Sequence, residues 1–597
     1  MGASADYYCS LNPDLLSVIP PDARYVLEVG CGAGALAREY KLINPDCNYW
    51  GIEQNPDVAR QAETLANMKV VARSMETVDF PHFSTWFDTI IFGDVLEHMA
   101  DPWSQLKKAA GWLSESGQIL ASIPNSGNYN MILSLIAGRW DYQDSGLLDR
   151  THLRFFTLKS IRELFESAGL TILDVLPRVY HLDGHDDFVQ MIKPLVERVE
   201  KDFEEFREET RAWQYIIRAS KQPPPANRIL LRAFPAEGCC APPRLRDPGQ
   251  MIATLPDFRY CESPTKVRED ESVIVIRQRA NWDLEEVRNQ IAAGCIIVGE
   301  WDDDPEYFLN CPNVHPVVER FRGFGKLPFY GCHAIQCSTE VVADSLAAVC
   351  REAVGDDGVP EIAVFPNQLT KLSPPREDAD NPGGGFAPQP QDTAAAGQPV
   401  RIFFGAQNRQ SDWAAIMPAI NEVTAGRTDV EFHVVHDREF YDALAIPTKF
   451  KKFYAGFLPY EKYRAVLRKC DIALLPLEDT QFNRHKSDIK FLECAAEGVV
   501  PVCSSVVYAQ TASDATGYWY NADAEQDIKH LEFKTNLQYL IKGAAAREET
   551  ANNQYRYLES RRLLKSHYRS RAAWYRSLVL RKDELTTALK SQAPELF

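Results

Sequence analysis

The sequence lacks a long hydrophobic run. No stretch approaches the roughly 18 consecutive apolar residues that a membrane-spanning helix needs, so no integral membrane segment is expected. The first ten residues, MGASADYYCS, also lack the basic and then apolar pattern of a secretory leader. These absences lead us to expect a cytoplasmic protein with reduced thiols.

An excess of positive charge is missing as well. The chain has 65 Lys and Arg against 83 Asp and Glu, which gives a formal net charge of −18. This balance argues against a general nucleic-acid-binding or anionic-membrane-binding surface, because both need clustered Lys and Arg. The 14 cysteines include no C-x-x-C pair, so neither a zinc site nor a disulfide framework is indicated, and we expect no metal.

What the sequence does contain is a glycine-rich loop. An apolar run at residues 25–27 leads to Gly30-x-Gly32-x-Gly34, and helix-forming residues follow. Glycines let the backbone turn tightly and approach a ligand, while a helix N-terminus offers free N–H groups. The spacing is not the G-x-G-x-x-G of dinucleotide binders. Glu53, about 20 residues further on at the end of a second apolar strand, suits a ribose diol.

Three motifs in this order, VLEVGCGAG, GIEQN and FDTIIFGDVLEHMADP, resemble class I S-adenosylmethionine-dependent methyltransferases, especially the ubiquinone-biosynthesis-like group. The resemblance implies a Rossmann-like domain that binds S-adenosylmethionine. A nicotinamide-dependent enzyme is the alternative for such a loop. In the resembled family Met75 is a packing partner for the adenine, although it could equally be a buried residue of a solvent turn. The cofactor-binding residues implied by the resemblance are Glu28, Gly30, Cys31, Gly32, Gly34, Glu53, Gln54, Ser74, Met75, Asp94, Val95 and Leu96.

Three further residues are candidates for the chemistry. The resemblance places His98 beside the methionine end of the cofactor, and an imidazole titrates near working pH, so His98 is a candidate general base for a hydroxyl acceptor. It could instead only cap or orient its loop. The segment LLDRTHLRFFT, residues 147–157, resembles the acceptor-side segment of the same family, and we expect its Asp149 and His152 to face the methyl acceptor as further candidate bases.

Length and composition indicate how the rest of the chain is divided into domains. At 597 residues, three or four domains are expected. Strands and helices alternate throughout, so the fold class is α/β with parallel sheets. We also expect a Thr157-capped helix, and one charged helix from Asp186 to about Arg211. The predicted divisions are a methyltransferase domain (1–221), a Pro-rich linker (222–226), two Rossmann-like halves (227–372 and 400–525) joined by a flexible tether (373–399), and C-terminal helices (526–597).

The second of these halves contains a candidate phosphate site. Lys486 and Lys490 lie four apart with Ser487 beside them, and two cations on one face at a helix start suit a diphosphate. Glu493 falls on a nearby face and could hold a ribose diol. Gly405 closes a strand, and Arg409 after it is another phosphate candidate.

This stretch, with HAIQCSTEVVADSL, VFPNQL and EWDDDP, resembles retaining GT-B glycosyltransferases of the glycogen-synthase-like kind. The resemblance implies a UDP- or GDP-sugar donor, a ribose contact from Glu493, and a C-terminal helix that crosses back to the first half, anchored by Trp574. An oligomerising helix is the alternative. The family often has a second Glu where this chain has His485, so the sequence departs from the family pattern at this position.

Together these features predict a bifunctional enzyme of glycan biosynthesis. Its methyltransferase would act on a hydroxyl group, that of a sugar above all, and its glycosyltransferase would use a nucleotide sugar. The expected partners are small-molecule donors and a glycan or glycosylated-protein acceptor, with no nucleic acid. A rival interpretation makes the second half a non-catalytic glycan- or nucleotide-binding module that recruits the acceptor. A sugar dehydratase or dehydrogenase would need a Tyr-x-x-x-Lys pair, which the N-terminal half lacks.

Overall fold

The computed structural model describes residues 9–80, 85–180, 182–235, 241–263, 265–278, 281–310, 319, 322–374, 399–406, 409–456 and 458–597. Their contacts divide the chain into two compact units. The first runs up to Arg228 and includes Ala253–Phe258, and the second consists of Ile229–Ile252 and Arg259–Phe597. The predicted tether, residues 373–399, lies outside the described residues except at its two ends.

Within the described residues, the first unit contains a seven-stranded sheet. Its strands are β1 (Tyr25–Val29), β2 (Asn48–Ile52), β3 (Lys69–Val71), β4 (Phe87–Gly93), β5 (Leu113–Pro124), β6 (Thr171–Val179) and β7 (Ala212–Ser220). Their order across the sheet is β3–β2–β1–β4–β5–β7–β6. The first five pair in parallel, whereas β7 runs antiparallel between β5 and β6. The strand order reverses between β1 and β4, which is where ligands bind in open sheets of this type.

Six of the eight described helices of the first unit begin with a capping side chain. The Asn55 side chain accepts hydrogen bonds from Asp57 N and Val58 N, and Thr157 caps its helix as predicted. The predicted charged helix from Asp186 to about Arg211 is wrong in its continuity, because two helices form there with residues 199–202 between them. The helix bounds are Pro13–Val18, Ala35–Ile43, Pro56–Ala66, Pro102–Trp112, Tyr129–Ile136, Leu158–Ser167, His185–Arg198 and Phe203–Arg211.

Two apolar clusters cover the faces of this sheet. One includes Leu27, Ile90 and Phe165, and the other includes Val26, Ile91 and Leu120, so neighbouring residues of β1 and of β4 point to opposite faces. Burial on both faces explains why these strands are almost continuously apolar.

Two further sheets are described in the second unit. The first consists of β8 (Arg228–Phe234), β9 (Phe258–Cys261), β10 (Glu271–Gln278), β11 (Ile296–Trp301), β12 (Ala334–Cys337) and β13 (Glu361–Val364). Its order is β13–β12–β11–β10–β8–β9, and the run from β10 to β13 is parallel. The associated helices are Asp247–Ile252, Leu284–Ala292, Pro305–Asn310, Leu327–Tyr330 and Glu340–Val354.

The second of these sheets is parallel throughout. It consists of β14 (Val400–Gly405), β15 (Val430–Val435), β16 (Lys451–Tyr454), β17 (Ile472–Leu475), β18 (Val500–Ser504) and β19 (Tyr518–Tyr520), in the order β16–β15–β14–β17–β18–β19. Its helices are Gln410–Ala414, Met417–Thr424, Arg438–Ala443, Tyr460–Leu467, Gln481–Arg484, Ile489–Ala496 and Ser505–Asp514. Both sheets therefore have the parallel α/β form that the alternating pattern predicts.

The C-terminal segment is helical, with helices Gln526–Lys542, Ala544–Arg561, Tyr568–Leu580 and Lys582–Gln592. The third of these contacts the first sheet of the second unit, where Trp574 Nε1 donates to Glu361 Oε1 at 2.6 Å. Next to it, Tyr575 Oη donates to Gln336 Oε1 at 2.7 Å. The crossing helix anchored by Trp574 is thus confirmed as a contact. Among the described helices, none combines the length and apolarity needed to cross a bilayer.

Candidate functional site

The glycine loop follows β1 at the carboxyl edge of the first sheet. Gly30, Gly32 and Gly34 have φ angles of +71°, +52° and +81°, a region that side chains other than glycine rarely adopt. A Cβ on Gly30 would lie 2.5 Å from Val95 Cγ2, and one on Gly34 would lie 2.8 Å from Ala66 Cβ. Both backbone geometry and packing therefore require glycine at these two positions.

Glu53 is fixed directly against this loop. Its carboxylate accepts Gly32 N–H at 3.2 Å through Oε2 and Asn55 N–H at 2.8 Å through Oε1. The side chain is buried at the end of β2. The sequence prediction pairs Glu53 with the loop by spacing, and the parallel pairing of β1 with β2 is what brings the two together.

The side chains of Glu28 and Cys31 contact other residues of the first unit. Tyr49 Oη donates to Glu28 Oε2 at 2.9 Å, and burial raises the pKa of Glu28 to about 8. The Cys31 thiol is buried, and a Cβ on Gly51 would meet its Sγ at 2.4 Å, so this side chain packs against β2. Burial also raises the pKa of the Cys31 thiol. Gln54 is exposed beside Glu53.

Two more loops at the same edge contain the remaining predicted residues. Met75 is buried in the main core after β3, while Ser74 Oγ donates to Glu76 Oε2 at 2.8 Å. After β4, Asp94 adopts a φ of +55° and accepts a hydrogen bond from Ser122 Oγ at 3.1 Å. Burial raises the pKa of Asp94, although the hydrogen bonds from Ser122 and Gln214 oppose this. Val95 contacts Gly30, and Leu96 is fully buried.

The structure brings His98, Asp149 and His152 together. The rings of His98 and His152 meet edge to face, with centroids 4.8 Å apart. Asp149 Oδ1 accepts Thr151 N–H at 2.8 Å and Thr151 Oγ1–H at 2.6 Å. Burial raises the pKa of Asp149, but these hydrogen bonds and the nearby imidazoles together have the larger effect. The pKa of this carboxyl therefore lies below its ordinary value, and the carboxyl is ionised near neutral pH. Burial lowers the pKa of His152.

Glu97 is a residue of this cluster that sequence reasoning missed. Its carboxyl is buried, and neither oxygen has a hydrogen-bond partner within the described residues. Burial raises the pKa of Glu97 well above its ordinary value, and the Asp94 and Asp149 carboxylates raise it further. One donor atom each from Glu97, His98 and His152 lies within 4.8 Å of the others. Two imidazoles and a carboxyl form a donor set that could hold a divalent cation.

The candidate cations of the second unit are already paired. The predicted helical arrangement is wrong, because the helix begins at Ile489 and Lys486 lies in the preceding loop. Lys486 Nζ donates to Asp303 of the first half of the unit. Lys490 Nζ donates to Glu493 Oε2 at 2.9 Å. Spacing alone could not reveal Asp303, which lies 183 residues from Lys486, whereas Lys490 and Glu493 form an i,i+3 pair that spacing does suggest.

The other predicted nucleotide-sugar residues also have partners. Tyr460 Oη donates to Glu493 Oε1 at 3.0 Å, so both oxygens of that buried carboxylate are bonded. Ser487 Oγ accepts Asn367 Nδ2–H at 2.7 Å, and Arg409 Nη1 donates to Asn483 Oδ1 at 3.0 Å. Gly405 ends β14, where a Cβ would lie 2.7 Å from Phe403 Cζ. The packing of Phe403 is thus sufficient reason for this glycine.

Comparison with known proteins covers the first part of the chain. The sequence model of the methyltransferase family Methyltransf_23, described as a methyltransferase domain, matches residues 1–175. The ubiquinone biosynthesis O-methyltransferase of Cereibacter sphaeroides is 24% identical over 164 residues, which are 27% of this chain and 66% of that protein. The Coxiella burnetii protein of the same name is 26% identical over 163 residues, 26% of this chain and 68% of that one. The chain thus spans about two thirds of the length of these curated relatives.

Solved structures of methyltransferases are similar to the same part of the chain. A methyltransferase from Thermotoga maritima, described as S-adenosylmethionine-dependent, is 17% identical and covers 35% of this chain and 87% of its own, with a TM-score of 0.25. An O-methyltransferase family 2 protein from Planctomyces limnophilus, solved with apigenin, is 18% identical and covers 36% of this chain and 59% of its own, with a TM-score of 0.26. With the family match and the curated relatives, the conclusion is that about the first 175 residues form a class I S-adenosylmethionine-dependent methyltransferase domain.

Proposed function

We propose that the first unit transfers a methyl group from S-adenosylmethionine to a hydroxyl group. The observation that carries this proposal is the meeting of His98, Asp149 and His152 at the strand edge that also presents the glycine loop. The curated relatives are named O-methyltransferases, which supports oxygen as the methyl acceptor. The acceptor class we propose is a sugar hydroxyl.

The residues of the carboxyl edge suit this cofactor. A loop with positive φ at three glycines exposes backbone to a ligand, and the fixed Glu53 carboxylate can accept hydrogen bonds from a ribose diol. Met75 would pack beside the adenine, and residues 94–96 would border the methionine end. When bound, the cofactor supplies a methyl group on a sulfonium, and the protein must align an acceptor oxygen with it.

The chain's own contribution would then be orientation and removal of one proton. In the first candidate mechanism, His98 accepts the proton of the acceptor hydroxyl, while the buried His152 forms one wall of the acceptor site. The carboxyl of Glu97 and the two imidazoles support a second mechanism, in which these residues would hold a divalent cation that would act as a Lewis acid on the acceptor hydroxyl. Methyl transfer measured with a chelator, and after re-addition of Mg²⁺ or Zn²⁺, separates the two mechanisms.

For the second unit the proposal is transfer of a sugar from a UDP- or GDP-sugar donor. Support comes from two parallel α/β sheets in one compact unit and from the terminal helix that contacts the first of them through Trp574. Both enzymes would act on one glycan or glycosylated protein, an inference that rests on their fusion alone. The competing proposal is a module that binds a glycan or nucleotide without catalysis. The pairing of Lys486 with Asp303 favours this alternative, because a donor phosphate would have to compete with that carboxylate for the ammonium group.

Calorimetric titration of the full chain tests both proposals. We expect S-adenosylhomocysteine to bind, and Glu53→Ala to weaken that binding while the matched surface variant Glu63→Ala does not. UDP, GDP and CMP are then titrated separately, with Glu493→Ala as the site variant. Transfer of a labelled methyl group is assayed with methyl glucoside and with catechol as hydroxyl probes. No binding of the thioether would overturn the methyltransferase proposal, and thioether binding without nucleotide binding would overturn the glycosyltransferase.

A further inference from the structure

Three polar contacts connect Asp149 to His98 through Thr151. Thr151 Oγ1 lies 2.6 Å from Asp149 Oδ1 and 3.1 Å from His98 Nδ1, and the Thr151 carbonyl oxygen lies 3.2 Å from the same nitrogen. The Thr151 N–H also donates to Asp149 Oδ1 at 2.8 Å. The aspartate thus fixes the backbone and the hydroxyl of Thr151 at once, and the threonine presents two oxygens to one imidazole nitrogen.

The chemistry of these atoms sets the direction of each hydrogen bond. A carbonyl oxygen can only accept, so His98 Nδ1 must carry a proton to bond with the Thr151 carbonyl. The ionised Asp149 accepts the proton of the Thr151 hydroxyl, which leaves that hydroxyl's lone pair to accept from His98 Nδ1–H. In a neutral imidazole one nitrogen donates and the other accepts, so Nε2 is left without a proton.

We propose that Asp149 and Thr151 are positioning residues that fix His98 with Nδ1 protonated and Nε2 available as the proton acceptor. This inference rests on the proposed methyl transfer, and it changes the part assigned to Asp149 from candidate base to orienting group. Both hydrogen bonds to Thr151 end on the same oxygen, Oδ1, so an amide in place of the carboxylate can still accept them. A base, in contrast, must take up a proton, which an amide cannot do.

This difference makes two substitutions at one position decisive. Asp149→Asn keeps an accepting oxygen, so we expect kcat to fall by less than about tenfold, whereas Asp149→Ala removes the support and should lower kcat by about 100-fold. Thr151→Ser keeps the hydroxyl and should resemble the wild type more closely than Thr151→Val. KM for S-adenosylmethionine and the affinity for S-adenosylhomocysteine should stay unchanged in all four variants, because neither Asp149 nor Thr151 is among the residues proposed to contact the cofactor.

The tautomer of His98 gives a readout that needs no acceptor. Full-length protein with ¹⁵N-labelled histidine is saturated with S-adenosylhomocysteine, and ring nitrogens are recorded at about pH 8.5, about two units above the usual imidazole pKa. The resonances that disappear in His98→Gln belong to His98. We expect a protonated Nδ1 in the wild type and in Asp149→Asn, and a mixture of tautomers in Asp149→Ala.

Each alternative outcome of these experiments would contradict one particular statement above. Equal loss of kcat in Asp149→Asn and Asp149→Ala, with the tautomer unchanged, would make Asp149 the base and overturn the positioning inference. A wild-type His98 protonated on Nε2 would overturn it as well. Failure of every variant and of the wild type to bind the thioether would refute the methyltransferase proposal instead. Melting temperatures of the variants identify any that do not fold, in which case the Thr151→Ser and Thr151→Val pair decides.

Discussion

Lys486 and Asp303 form an ion pair across 183 residues of sequence, joining the loop before the helix Ile489–Ala496 to the loop after β11. Both side chains are partly shielded from water, with 23% and 14% of the side chain exposed. The sequence predicts Lys486 as a phosphate ligand, but in this structure an internal carboxylate is bound to it. A diphosphate would therefore compete with Asp303 for the same ammonium group.

Removal of that competitor should strengthen nucleotide binding. We expect Asp303→Asn to raise the affinity of the full chain for UDP or GDP about fivefold, since a partly shielded ion pair is worth about 1 kcal/mol. Calorimetric titration measures the change. The matched control is Glu306→Gln, whose partner on the facing segment is the neutral Gln481. Unchanged or weaker binding in Asp303→Asn would show that Lys486 does not bind the phosphates.

Gly30→Ala should damage the cofactor site. The φ of +71° disfavours any side chain, and the new methyl group would lie 2.5 Å from Val95 Cγ2, so a loss of about 2–4 kcal/mol in stability is expected. The affinity for S-adenosylhomocysteine should fall as well, because the loop must shift. Gly111→Ala is the control, since a Cβ there meets no atom within 4 Å and the residue lies in a helix, where alanine stabilises slightly. Equal effects of the two substitutions would refute this account.

The buried Glu28 should make the stability of the first unit fall with rising pH. Burial raises its pKa to about 8, so the folded protein keeps a proton that the unfolded chain releases above about pH 4.5. The folded state then binds more protons, and its stability is lost progressively up to the folded pKa, by a few kcal/mol in all. We expect Glu28→Gln to flatten the pH dependence between about pH 5 and pH 8.

Calorimetry at several pH values measures the melting transition that S-adenosylhomocysteine shifts, since this transition reports the unfolding of the first unit. Glu63→Gln, an exposed glutamate on the helix Pro56–Ala66, is the matched control and should leave the slope unchanged. An unaltered slope in Glu28→Gln would mean that the carboxyl is already ionised in the folded protein.

One of the contacts that anchor the helix Tyr568–Leu580 is an indole hydrogen bond from Trp574. Trp574→Phe keeps the ring contact with Phe365 but removes the 2.6 Å bond to Glu361, so the second unit should lose about 1–2 kcal/mol. Trp519→Phe, at a residue that is 40% exposed, is the control for loss of an indole. Light scattering should report the same mass for both variants. A change of mass in Trp574→Phe alone would support the oligomerising helix.

Much of the first unit could be predicted from local sequence. The G-x-G-x-G loop, the apolar strands and the Thr157 cap are dictated by backbone geometry and short-range hydrogen bonds, which neighbouring residues control. The proposed base could also be singled out, because His98 follows directly on a recognisable strand. Sequence reasoning missed Glu97 beside it, although a carboxyl between a leucine and a histidine just after that strand was the available signal.

The sequence by itself determined the α/β class, the order of the strands along the chain, and the set of chemically active side chains near the glycine loop. Only the tertiary structure decided which of these side chains are bonded to each other. Asp149 is linked to His98 through Thr151, which lies 53 residues from His98 along the chain. Lys486 donates a hydrogen bond to Asp303, 183 residues away. Such pairs form where loops that follow different strands meet in the fold. The role of a carboxylate that accepts two internal hydrogen bonds can therefore not be assigned from its spacing in the sequence alone.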